Sequence, residues 1–198
     1  MGTHVSVVDV EVDVEAFYIS KTPVTNEEFE VFRPGRARPA WAQGDTDPAC
    51  GLTWEDAQGY CAWYAAWTGK PFRLPTEIEW EYACRADSEG PHYASSPTAI
   101  EAATLHAGNS EGRLWGVEQR VKNGFGLHDM LGTVWEWTSS PYRPYPLCGD
   151  GVEGEGQFVL RGGSFREPLA HISCSIRRVE ARDVVIEDAG FRVVRGLS

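Results

Sequence analysis

The chain reads as an α+β domain of short, mostly antiparallel strands, two to three helices and long loops. Three observations carry that reading. Near the N-terminus valines 5, 7, 10, 12 and 14 are interleaved with Asp9, Glu11, Asp13 and Glu15, the period-2 pattern of a half-buried strand. Between residues 25 and 85, threonines followed by carboxylates open three helical stretches. From Phe125 onward only short extended runs remain, separated by turn residues. At 198 residues the sequence fits one domain, residues 1–198. A domain of that size hides roughly 70% of its unfolded surface.

The first strand slips its alternation once, at Val7-Val8, and Phe17-Tyr18-Ile19 continues the extended run. Thr25 with Glu28 three residues on forms a capping box that opens a helix to about Phe32. Pro34 to Pro39 follows as a loop. Thr53 caps the strongest helix, with Glu55 and Asp56 in its first turn, where the helix dipole favours anions. Trp54, Ala57, Cys61, Tyr64 and Ala65 fall at helical spacing and are expected in the core. Gly69 is placed to end that helix in a left-handed conformation. A third helix starts at Thr76, with Glu79 completing a capping box and Ile78, Trp80 and Tyr82 along it. Residues 87–122 read as irregular. The short extended runs are Phe125 to Met130, Thr133 to Thr138, Phe158 to Arg161, Ile172 to Arg177 and Phe191 to Val194. Residues 149–156 are a flexible acidic loop. Pairing of the valine-rich first and last strands would bring the two ends together.

A formal charge of −11 argues against a nucleic-acid partner, because phosphate contact needs clustered Lys and Arg. No stretch approaches 18 consecutive apolar residues, so no membrane span is expected. The first residues lack a basic region and apolar block, so no secretory signal is read and the default compartment is cytoplasmic. Met-Gly-Thr-His-Val-Ser satisfies the loose myristoylation pattern, a match expected by chance. The five cysteines (50, 61, 84, 148 and 174) have no Cys-x-x-Cys spacing and fit reduced thiols. A single bridge from Cys50 to Cys148 stays open. Cys61 and Cys84 read as small buried apolar residues. If Ile172 to Arg177 is a strand, Cys174 shares its inner face with Ile172 and Ile176.

Several blocks resemble the formylglycine-generating (sulfatase-modifying factor) domain family. They are Pro23-Val24-Thr25-Asn26-Glu27-Glu28-Phe29, Trp54-Glu55-Asp56-Ala57, and the run from Gly69 to Glu77 with Glu79-Trp80-Glu81-Tyr82-Ala83. Phe125-Gly126-Leu127-His128-Asp129-Met130-Leu131-Gly132-Thr133-Val134-Trp135-Glu136-Trp137, Arg161-Gly162-Gly163-Ser164 and Gly190-Phe191-Arg192 complete the set. The resemblance implies a C-type-lectin-like fold, which hosts both oxidases and pure binding proteins. In the oxidase branch, chemistry rests on two cysteines spaced Cys-x4-Cys after the Arg-Gly-Gly-Ser block, a soft-metal and redox site. Here the region holds only Cys174, so the pair is missing. The sulfoxide synthases of the same family use an iron-binding histidine cluster from another domain. Histidines 4, 92, 106, 128 and 171 form no such cluster. The resemblance also implies a possible calcium site on Asp129 and Glu136 with the carbonyls of Gly132 and Val134. Thr133 departs from the family there, standing where Asn is usual. No other cofactor is required.

A third branch with this fold comprises the variable proteins of diversity-generating retroelements, whose C-terminal segment is diversified at adenines. This chain is similar in placing residues 161–198 last. Phe165 to Ala189 lacks Gln, Lys, Met and Trp, as randomised Asn codons would require, but keeps Glu167, Glu180 and Glu187. The expected function is therefore a non-catalytic protein presenting a variable surface to a protein or glycan ligand. Its contact residues would be Phe165, Arg166, Glu167, Leu169, His171, Ser173, Ser175, Val184, Val185 and Ile186. Arg161, Gly162, Gly163, Arg182 and Arg192 would be framework. The alternatives are an oxidase acting on protein cysteine through an unexpected thiol arrangement, or a degenerate accessory member of the family.

Overall fold

The computed structural model describes residues 13–144 and 156–197. Strand β1 (Phe17–Ile19) leads into helices α1 (Asn26–Phe32), α2 (Trp54–Thr68), α3 (Glu77–Arg85) and α4 (Pro97–Ala103). Strands β2 (Trp135–Pro141), β3 (Gln157–Arg161), β4 (Arg177–Ala181), β5 (Ala189–Gly190) and β6 (Val194–Gly196) follow, with a 3-10 turn at Leu169–His171 before β4. The class is α+β, as expected.

Each of the first three helices starts where a threonine side chain can accept an otherwise orphaned N–H. Thr25 accepts from Glu28, Thr53 from Asp56 and Thr76 from Glu79, and each carboxylate accepts the threonine N–H in return. Gly69, at φ +67°, ends α2 in the left-handed conformation. Helix α4 lies within residues 87–122, where the sequence predicts irregular chain. Ser96 caps it by accepting from Ala99, and Pro97 supplies a preset φ in its first turn. Seven residues are too few to show a 3.6-residue period, so only the cap could have announced it.

The sheet order is β4-β3-β2-β5, antiparallel except for the short parallel β2–β5 pairing, and β1 pairs with β6 in a separate antiparallel ribbon. Phe17 to Ile19 therefore lies beside Val194 to Gly196. Residues 1–12, the acidic loop up to Glu155 and Cys148 lie outside the described residues, so the Val5–Val12 strand and the Cys50–Cys148 bridge do too. Two extended runs are corrected. Phe125 to Met130 is a series of turns, fixed where the Asn123 side-chain carbonyl accepts the N–H groups of Phe125 and Leu127. Ile172 to Arg177 is also irregular, and the strand begins at Arg177, where pairing with Arg161 starts. Of Phe191 to Val194, only Val194 is in a strand.

The main core gathers Ala57, Tyr60 and Cys61 of α2 against Phe29, Trp135, Trp137, Leu160 and Phe191. Tyr60 replaces Ala65 as a principal inward residue. Trp54 is half-buried and stacks on Phe158 at 3.9 Å while its Nε1 donates to the Thr138 carbonyl at 2.8 Å. On α3, Trp80 is fully buried, Ile78 is half-buried and Tyr82 is exposed. Between α4 and β2 the backbone is pressed tight. A Cβ on Gly132 (φ +72°) would sit 1.9 Å from the Leu105 carbonyl oxygen. The next residue, Thr133, has φ +63° despite its branched Cβ, and its buried Oγ1 has no partner among the described residues.

Candidate functional site

The segment between Arg161 and Arg192 is held at its neck by buried polar contacts. Arg192 lies in the core with Nε and Nη2 donating to the two Glu136 oxygens at 2.7 and 2.8 Å, and Trp80 Nε1 donates to the same carboxylate at 2.6 Å. Arg161 pairs with Glu81 and donates to the carbonyls of Cys174 at 2.9 Å and Ser175 at 3.1 Å. The strand that bears Arg161 thus clamps a loop thirteen residues further along. Ser164 and Asp188, both buried, hydrogen-bond across the neck. Gly162 and Gly163 have φ of +94° and +79°, and a Cβ on Gly163 would meet Ile172 at 2.8 Å. Four of the five framework residues named from sequence are in place. Arg182 is the exception: it is exposed, 3.4 Å from Glu55.

Of the ten candidate contact residues, two are core. Phe165 is 1% exposed and packs with Leu105, Leu114 and Val134, because the Phe165 N–H bonds the Thr133 carbonyl and draws the ring inward. Ile186 is 6% exposed and lies in the main core, carried there by its bridge to Leu52. The other eight are at least partly exposed. Arg166 ion-pairs with Glu187 at 2.8 Å, and Val184 and Val185 are 41% and 59% exposed. Leu169 and His171 lie in the 3-10 turn, and Glu167 before it is 3.9 Å from His171. Ser173 and Ser175 follow, their hydroxyls 3.4 Å apart.

Sequence reasoning missed two members of this surface. Trp41, from the loop before α2, carries the Arg166 guanidinium on its ring face at 4.1 Å. Glu187 fixes the other side of the same guanidinium. A tryptophan in a proline-rich loop was the available signal for the first. Nothing local announced the second.

The expectation that Cys174 has no thiol partner is overturned. Cys84, on α3, places its Sγ 3.4 Å from the Cys174 Sγ. Both residues are 0% exposed, among Trp80, Leu127, Met130 and Ile172. Burial, with the neighbouring Cys174 sulfur adding to it, pushes the Cys84 thiol well above its ordinary range. The pair was invisible because its members are ninety residues apart.

The residues named for calcium do not fit a hard cation. Both Glu136 oxygens are bound by Arg192, one also by Trp80, so ligation would break a buried ion pair. Asp129 is buried, and its Oδ2 accepts the Glu118 N–H at 2.8 Å. Burial raises its carboxyl above the ordinary aspartate range. No group of three or more His, Cys, Asp or Glu able to hold a metal occurs among the described residues. No helix among them is long and apolar enough to cross a membrane.

Residues 4–197 match the sulfatase-modifying factor enzyme 1-like domain. The chain is 31% identical to hercynine oxygenase of Mycolicibacterium thermoresistibile, over 78% of this chain and 45% of that protein. It is 31% identical to the inactive C-alpha-formylglycine-generating enzyme 2 of Mus musculus, over 73% and 48%. Against formylglycine-generating enzyme of Streptomyces coelicolor the identity is 35%, over 81% and 56%. The chain spans about half the length of these relatives. Among solved structures, PvdO from Pseudomonas aeruginosa superposes with a TM-score of 0.79 at 29% identity, covering 91% of this chain and 80% of that one. Treponema denticola variable protein 1 also gives 0.79, at 19% identity over 90% and 84%, a likeness of fold. The expected C-type-lectin-like fold of the formylglycine-generating type is therefore the one observed, and the chain belongs to the sulfatase-modifying factor family.

Proposed function

We propose that this member of the sulfatase-modifying factor family is a non-catalytic ligand-binding protein, of the kind diversified by retroelements, whose binding surface lies within Arg166 to Ala189. The observation that carries the reading is the division of labour inside the segment. Its ends, Arg161 and Arg192, are fully buried in hydrogen-bonded ion pairs, while Arg166, His171, Ser175, Val184 and Val185 face outward. Changes at the outward positions leave the frame's contacts intact. The segment offers two exposed valines and a guanidinium stacked on Trp41, features that suit a protein or glycan surface.

One observation favours a second reading, an oxidase of protein cysteine: the Cys84–Cys174 contact. Against it stands complete burial of both sulfurs. A thiol that meets neither solvent nor substrate is inert. Incubation with Cu(I) and a Cys-x-Pro-x-Arg peptide discriminates the readings. We expect no aldehyde, and turnover would sink the binding function. The diversification has its own test, in the DNA. A near-identical copy of codons 161–198, differing at adenines beside a reverse-transcriptase gene, is the expected finding. Without that copy the proposal reduces to a binding domain of fixed sequence.

A further inference from the structure

Away from the C-terminal surface, a cavity of about 240 Å³ opens between β1, α1 and α2. Its walls include the rings of Tyr18, Tyr60, Tyr64 and Phe72, with Thr22 and the Glu28 carboxylate completing it. Tyr64 and Phe72 lie with ring centroids 4.5 Å apart, and Tyr60 and Tyr64 stack at 5.8 Å. The ring faces and the carboxylate that line the cavity are electronegative. Aromatic faces are the negative side of the ring quadrupole, and Glu28 is an anion in the exposed first turn of α1. No Lys, Arg or His lines the cavity among the described residues. Burial, and after it the charge of Glu28, pushes the Tyr60 phenol upward, so it stays a neutral donor. Tyr18 already carries a cation, the Arg195 guanidinium 4.1 Å from its centroid.

We propose that this cavity is a binding site for a compact organic ammonium ion, held by the faces of Tyr60, Tyr64 and Phe72 and by the Glu28 carboxylate. Its volume lies below the usual range for drug-sized ligands, which suits an alkylammonium head group. An anion would be repelled by the carboxylate, and a neutral ligand would forgo the Coulomb attraction a cation gains. A cation over several rings is attracted by their quadrupoles.

The test titrates the whole protein with tetramethylammonium, choline and the uncharged choline isostere 3,3-dimethylbutan-1-ol, following tyrosine resonances or heat. The two cations are expected to bind saturably and the isostere at least about tenfold more weakly. Glu28→Gln keeps the acceptor of the α1 capping box and removes only the charge, so it should weaken choline severalfold at unchanged melting temperature. Tyr64→Leu keeps apolar bulk without the ring and should abolish binding. Equal affinity for choline and its isostere would overturn the proposal. So would no saturable binding of either cation up to tens of millimolar, or a Glu28→Gln protein that binds as tightly as the parent.

Discussion

Arginines of the segment from Arg161 to Arg192 pair with glutamate in two contrasting settings. Arg192 and Glu136 are 0% and 1% exposed, with every contact directed by the core. Arg166 and Glu187 are 40% and 63% exposed. Coulomb attraction is common to both, but the surroundings reverse its meaning. A buried pair matters because removing one partner strands a charge away from water. An exposed pair is screened and contributes little, so its residues are free to serve a ligand. Burial, rather than residue type, separates scaffold from surface here.

The largest effect is expected where that contrast is sharpest. Glu136→Gln leaves Arg192 charged in the core without its counter-ion and should cost about 3–5 kcal/mol in denaturant unfolding. A loss under about 1 kcal/mol would erase the distinction between the two pairs. Smaller and of opposite sign is Thr133→Asn. Asn tolerates the left-handed backbone that Thr133 occupies, so the variant should gain about 1 kcal/mol, read as a raised melting temperature. Thr76→Ala removes the acceptor that starts α3 and should cost about 1 kcal/mol.

Acid sharpens the comparison further. Burial raises the Glu79 carboxyl, but hydrogen bonds from Arg73 and the Thr76 N–H outweigh it and hold the pKa below the ordinary 4.5. Stability from Glu79 is therefore fully present above pH 4.5 and is lost as pH falls through the depressed folded value. Asp129, raised by burial, works in the opposite sense and gains stability on protonation. An Arg73→Ala protein should show a shallower loss as pH falls below 4.5 in melting experiments. The smallest effects belong to the outer surface. Arg166→Ala should cost less than about 1 kcal/mol, and Val184→Ser with Val185→Ser about 0.5 kcal/mol or less each. Under the proposed function, both variants lose ligand while their unfolding curves stay nearly superimposable on the parent's.

What could be read from sequence follows how local the cause was. Thr25, Thr53 and Thr76 bond within three residues, so the starts of α1, α2 and α3 were legible. Gly69 announced the end of α2 for the same reason. Ile172 and Cys174 point inward as expected, yet no strand holds them. The Arg161 clamp and the Pro91 carbonyl, which accepts the Cys174 N–H at 2.7 Å, do so instead. Both are long-range partners. Phe165 and Ile186 resemble surface residues when read among Arg166, Asp183 and Glu187, and only the positions of Thr133 and Leu52 turn them inward. The Cys84–Cys174 contact and the place of Trp41 beneath Arg166 depend wholly on tertiary packing.

The ribbon of β1 and β6 has a mechanical consequence. Its strands are antiparallel, with Phe17 opposite Gly196 and Ile19 opposite Val194, so both chain ends leave from the same end of the ribbon. Tension applied between residues 13 and 197 loads its rungs one after another, like a zipper, instead of shearing them together. Under low pulling force this ribbon should peel first, with the Arg192–Glu136 pair as the barrier immediately behind it.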